Sequence, residues 1–199
     1  VIYKRMSTNA NRPTGTWIDL SGLEPLASNP AAVVDALNVF FLHGRMSADI
    51  ATAAPAAERN GLKNHAREEA EHIAMWDGFV EAVGGTVGAT PNAETLECVE
   101  TWTKEDGFGR QLARLYAVES GQPEISKTKT EGLSEHYEIV DAPGNLYFTI
   151  HEKMDVHHAE EGRKLIERHM NDFSEDELVA AAEEAFKANW RLLDGVSPN

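Results

Sequence analysis

Apolar side chains along most of this chain recur at intervals of three and four residues, the period of helices that bury one face. Val33, Val34, Leu37, Phe40 and Phe41 follow Ser28-Asn29-Pro30, a cap residue with a first-turn proline, and Gly44 closes that segment. An alanine-rich helix is predicted from Ser47 to about Glu58. Asn60-Gly61 then bends the chain before a longer helix from Leu62 to Val83, stopped by Gly84-Gly85. Pro91-Asn92 opens a short helix through Leu96, Val99 and Trp102. The next is predicted from Phe108 to Glu119 and ends at Gly121-Gln122-Pro123, because proline lacks the backbone donor a helix needs. Glu124 to Tyr137 reads as a separate short helix, and a turn at Asp141-Ala142-Pro143-Gly144 precedes a long helix from Asn145 to Met170. Ser174-Glu175-Asp176-Glu177 has the form of a capping box ahead of a last helix carrying Leu178, Val179, Ala182, Phe186, Trp190 and Leu193.

No run alternates with period two and no repeat stands out, so the expectation is an all-α single domain of about seven helices. It is read from about Trp17 to residue 199, behind an N-terminal tail of residues 1–16. Hydrophobic residues make up 42% of the chain, enough for a core. The charge is −15, from 18 basic and 33 acidic residues, which disfavours nucleic acid and anionic membranes as partners. No apolar run approaches the roughly 20 residues that span a bilayer, and the start lacks the form of a signal peptide. Cys98 is the single cysteine, so neither an internal disulfide nor a thiolate zinc site is available, and a cytoplasmic location fits best.

The candidate chemistry lies in histidines and carboxylates. His151, Asp155 and His158 fall at i, i+4 and i+7 of the long late helix and share one face with Tyr147, Phe148, Leu165 and Ile166. Two imidazoles and a carboxylate on an apolar stripe are costly unless something such as a metal ion pairs them. Glu69 and His72, at i and i+3, form a second pair, although Arg67-Glu68-Glu69-Ala70-Glu71 also reads as an ordinary solvated charge run. With 33 acidic residues and eight histidines, roughly one such Asp/Glu-x-x-His pair arises by accident, and the chain has two. Glu119 is the third contributor, continuing the apolar stripe of Leu112, Leu115 and Tyr116. Three imidazoles and three carboxylates exceed a tetrahedral zinc site; they suit two first-row ions with open positions, iron handling O2 or alternatively manganese.

The stretch from Leu115-Tyr116-Ala117-Val118-Glu119 through Lys129 to Gly132-Leu133, followed by Tyr147-Phe148-Thr149-Ile150-His151-x-x-x-Asp155-x-x-His158, resembles the haem-oxygenase-like diiron oxidases and oxygenases, in particular their CADD-like, 4-aminobenzoate synthase-like branch. The likeness is strong from about Leu112 to Leu165 and looser over His72 to Phe79. It implies a haem-oxygenase-like bundle with two irons held by Glu69, His72, Glu119, His151, Asp155 and His158. In that branch the first-helix carboxylate lies seven residues before the histidine, where this chain has His65; other relatives place it three residues before, matching Glu69. The resemblance further implies O2 activation through a peroxo-diiron species acting on a small amine, amino acid or carboxylic acid, with an external electron donor and a homodimer as partners. Lys129 matches the family's reactive lysine, and Tyr147 sits one turn before His151; a surface lysine and a core tyrosine are the plain readings of the same residues. The first helix, Pro30 to His43, holds no tyrosine where the self-sacrificing members need one. A ferritin-like iron-binding bundle, a thiaminase-like cofactor-free hydrolase and a partner-binding helical protein are the competing classes. Arg110 and Arg114 are candidates to clamp a substrate carboxylate or to stand in solvent.

Overall fold

A computed structural model describes residues 30–37 and 43–196. The expected tail of residues 1–16, and Phe40 and Phe41 of the first predicted helix, lie outside these. Among the described residues every regular element is helical, and no helix is long and apolar enough to cross a membrane.

Helix α1 (Pro30–Ala36) begins at the proline, whose missing N–H is one that a helix start leaves unbonded anyway. Helix α2 (His43–Ala53) contains Gly44, so this glycine closes nothing, and it stops short of Glu58 because the residue before Pro55 is pushed away from helical geometry. The helix expected from Leu62 to Val83 is two, α3 (Arg59–Glu71) and α4 (Ile73–Ala82), and Asn60-Gly61 lies inside α3 rather than bending the chain. The break falls at His72, whose backbone N–H donates to the Glu69 carbonyl at 3.1 Å, one residue nearer than in a regular α-helix. Helix α5 (Ala93–Trp102) is capped by the Asn92 side chain, which accepts from the Thr95 N–H at 2.8 Å.

Helix α6 (Phe108–Tyr137) runs unbroken through Pro123, where two helices were expected. Proline there removes the donor that would bond the Glu119 carbonyl, but α6 packs along α2, α7 (Leu146–Arg168) and α8 (Glu175–Asp194), and that burial outweighs one lost bond. A 3-10 turn, Met170–Asp172, links α7 to α8. Ser174 does occupy the cap position of α8, with extended backbone, but its hydroxyl makes no cap bond.

The main core gathers Met46 and Ile50 of α2, Leu112 and Leu115 of α6, Ile166 of α7, and Leu178, Val179 and Phe186 of α8. A second cluster joins Trp76, Phe79 and Val80 of α4 to Leu133 of α6 and to Tyr147 and Phe148 of α7. It is this aromatic cluster that abuts the histidine-bearing turn of α7.

Arg114 is neither solvated nor a free clamp: it is fully buried, bonded to Asp106 at 2.7 and 2.5 Å and to Glu184 of α8 at 3.0 Å. Arg110 joins the same network, 2.8 Å from Asp106 and 2.9 Å from Glu184. Burial pushes the Asp106 carboxyl up, yet bonds from Arg114 and Arg110 override it and hold its pKa at about 2. A carboxyl held low in the fold stabilises it above its unfolded pKa and ceases to do so as pH falls through the folded value. Asp106→Asn, which leaves the Arg114 guanidinium short of its counter-charge, is therefore expected to cost about 3 kcal/mol in urea denaturation at neutral pH. The gap between variant and wild type should narrow as pH drops from about 4 towards 2.

Candidate metal centre

Helices α3, α6 and α7 converge their polar faces on one point inside the protein. From α7 come His151, Asp155 and His158, at most 2% exposed. Their spacing of four and three residues stacks them on one stripe, as the 3.6-residue period requires. From α6 comes Glu119, 1% exposed, and from α3 comes Glu69, 4% exposed. His72 sits at the α3–α4 break, and the tightened turn there nearly eclipses it with Glu69, so that its Nδ1 lies 3.3 Å from Glu69 Oε2. All six residues expected as ligands are thus buried.

Glu69 is the centre of the arrangement. Its Oε2 faces His72 Nδ1 at 3.3 Å and His151 Nε2 at 3.8 Å. Its Oε1 faces His158 Nδ1 at 3.3 Å and His65 Nε2 at 3.7 Å. Two groups result, His65–Glu69–His158 and Glu69–His72–His151, each with donor atoms within 4.8 Å of one another, and they share one carboxylate. Asp155 Oδ1 adds a contact to His158 Nδ1 at 3.3 Å, and Glu119 Oε1 lies 3.0 Å from His65 Nε2. His65 and Glu69, between which the sequence posed a choice, both point inward.

The imidazoles are held by their outer nitrogens. His151 Nδ1 donates to the Tyr147 carbonyl at 2.7 Å, which leaves Nε2 as the lone-pair nitrogen facing Glu69. His158 Nε2 reaches outward to Glu68 Oε2 at 3.5 Å, a carboxylate 52% exposed that the sequence pattern hid within the charge run of residues 67–71. Burial alone would lower the His65 pKa, but Glu119 and Glu69 override it and raise it to about 10. Burial likewise opposes protonation of His151 and His158, and neighbouring carboxylates raise both: Glu69 and Asp155 at His151, Asp155 foremost at His158.

Two buried oxygens, Glu119 Oε2 and Asp155 Oδ2, have no hydrogen-bond partner. Buried carboxylate oxygens without a partner cost several kcal/mol, and a cation in the cluster would compensate them. The donors are imidazole and carboxylate with no thiolate, a set suited to iron or manganese. The residues therefore fit a metal centre.

An aromatic wall closes one side. The Tyr147 ring lies against the His151 ring, centroids 4.0 Å apart, and meets Trp76 edge-on at 5.2 Å. Burial, and then Glu69 and Asp155, push the Tyr147 phenol well above its usual range, so it stays protonated. Lys129 is half-buried on α6 with its ammonium 5.4 Å from the Phe148 ring centroid, and burial lowers its pKa to about 8. Met154 of α7 lies away from this wall, 37% exposed.

A family model described as iron-containing redox enzyme matches residues 56–190. The 4-aminobenzoate synthase of Chlamydia trachomatis is 32% identical over 144 residues, covering 69% of this chain and 59% of its own length. The 4-aminobenzoate synthase of Nitrosomonas europaea is 29% identical over 150 residues, covering 71% of this chain and 58% of its own length. This chain thus spans under two thirds of the length of the curated relatives it matches. A crystal structure of a domain of unknown function with a heme oxygenase-like fold, from Shewanella denitrificans, superposes with a TM-score of 0.66 at 19% identity, covering 91% of this chain and 93% of that one. The two share a fold.

Because Glu69 belongs to both groups of donors, its loss should be felt more widely than that of Glu119. Adding Fe(II) without oxygen at 100 times the dissociation constant should stabilise the wild type by about 2.7 kcal/mol, read as a rise in melting temperature. Glu69→Gln is expected to remove that rise, and Glu119→Gln to leave part of it. Equal responses from the two variants would contradict the shared role of Glu69.

Proposed function

This chain belongs to the family of iron-containing redox enzymes, and from that premise we propose that it is a non-haem diiron oxidase or oxygenase acting on a small amine, amino acid or carboxylic acid. The observation that supports this reading best is the position of Glu69, whose two oxygens face different pairs of imidazoles, so that it would belong to both groups of donors. Glu69, His72, Glu119, His151, Asp155 and His158 would hold the irons, which when bound supply the reduction of O2 and the oxidation of the substrate.

The protein's own groups prepare the place. The Tyr147 carbonyl fixes the His151 tautomer and ring, so its inner nitrogen is presented without a search over orientations. Trp76, Tyr147 and Phe148 exclude water from one side and lower the local dielectric, which strengthens every charge interaction among the ligands. Lys129, with its pKa at about 8, keeps roughly a tenth of its population as neutral amine at pH 7, available to accept a proton or meet a carbonyl. That availability, rather than a surface charge, is the role we assign to it. Tyr147 keeps its proton and offers it beside the His151 ring. The 4-aminobenzoate synthases named above are 32% and 29% identical to this chain over 144 and 150 residues, so chemistry on an aromatic amine or its precursor is the first to assay.

Anaerobic loading with Fe(II) should give about two irons per chain and a visible absorbance change on exposure to O2. Both should be lost in His151→Ala, whereas Lys129→Ala should keep the iron and lose product formation. Retention of many irons per chain would instead favour storage, and an unaltered iron content in His151→Ala would sink the assignment.

A further inference from the structure

We propose that His65 is a seventh ligand of the centre, a nitrogen donor shared with His158 and Glu69 at one of the two metal positions. The inference rests on the reading above and deepens it. It also departs from the resemblance, which sets a carboxylate at the position His65 occupies.

Geometry argues for ligation over a bystander's role. His65 lies one turn before Glu69 on α3, so both side chains leave the same face of that helix. Its side chain is 11% exposed, and its Nε2 is a buried atom 3.0 Å from Glu119 Oε1 and 3.7 Å from Glu69 Oε1. The approach to Glu119 is off the line of a hydrogen bond, so the inner nitrogen points into the cluster without being used up by one carboxylate. Its outer nitrogen, Nδ1, meets the fully buried Ser47 hydroxyl of α2 at 3.4 Å. His151 is held in the same manner, with the outer nitrogen on a protein oxygen and the inner nitrogen facing Glu69. The His65 and His158 rings lie 4.2 Å apart, tilted by 44°, and both bring a nitrogen to Glu69 Oε1. Two imidazoles crowded together around one carboxylate oxygen are hard to explain as packing; as two ligands of one ion they need no further partner.

The competing account makes His65 only the counter-charge or hydrogen-bond partner of Glu119. Three variants of the full chain separate the two. His65→Gln keeps a donor for Glu119 but is a poor ligand; His65→Glu restores a strong ligand of the opposite charge; His65→Ala removes both functions. Each is loaded anaerobically with Fe(II), desalted and assayed for iron, with far-ultraviolet circular dichroism to check the fold. The visible spectrum of the Co(II)-loaded protein reports the ligand field independently of activity.

If His65 is a ligand, His65→Gln and His65→Ala should fall from about two irons per chain to about one, or bind the second at least tenfold more weakly. Their Co(II) bands should shift, and His65→Glu should recover the second iron. Two irons and an unchanged Co(II) spectrum in His65→Gln would overturn the proposal while leaving the diiron reading in place. A wild-type chain that holds no iron would remove both. Should His65→Ala fail to fold, the comparison of His65→Gln with His65→Glu decides the matter alone.

Discussion

Everything in this molecule defers to one carboxylate, that of Glu69, held nearly dry among four imidazoles. An ionised group so placed costs several kcal/mol unless opposite charge is brought to both of its oxygens. Three helices are spent on meeting that condition. The turn at His72 is tightened to bring one imidazole alongside, α7 presents two more at helical spacing, and His65 reaches in from one turn earlier on α3. Asp155 and Glu119 add two more buried carboxyl groups to the same volume, a concentration of acidic groups that a cation would compensate.

The scaffold answers that local demand with redundancy. Helix α6 is buried on so much of its surface that it tolerates a proline four residues beyond Glu119, and its first turns are bolted to α8 through the Arg114–Asp106–Glu184 network. The aromatic cluster is joined to the centre by the hydrogen bond from His151 Nδ1 to the Tyr147 carbonyl, by the ring contact between the same two residues, and by the Trp76 backbone N–H bonded to the His72 carbonyl at 3.0 Å. Outside the histidine–carboxylate cluster, the helices are thus held by ordinary packing and ion pairs.

Much of this was legible in the order of residues. His151, Asp155 and His158 announce themselves because helical periodicity is regular enough to place three side chains on one stripe, and Glu119 because it prolongs an apolar one. The haem-oxygenase-like, all-helical fold followed from the same periodicity and from the resemblance carried by those residues. The continuity of α6 did not follow, since the penalty for Pro123 is local and the packing that offsets it comes from helices far along the chain. Nor did the break at His72, because an apolar period averages over a turn and cannot register one bond that closes a residue early. Arg114 looked like a surface or substrate-clamping cation because both of its partners are distant in sequence, Glu184 by 70 positions. Spacing alone likewise leaves open whether His65 replaces Glu69 or joins it.

One contact at the margin faces both inward and outward. Of the carboxylates that touch the centre's imidazoles, Glu68 alone, among the described residues, stands half in solvent, and it touches the outward nitrogen of His158. A side chain with one face in water and the other on a buried ring is where the dry interior comes nearest the bulk, so a charge added or removed there acts on the cluster through one imidazole without any helix having to move.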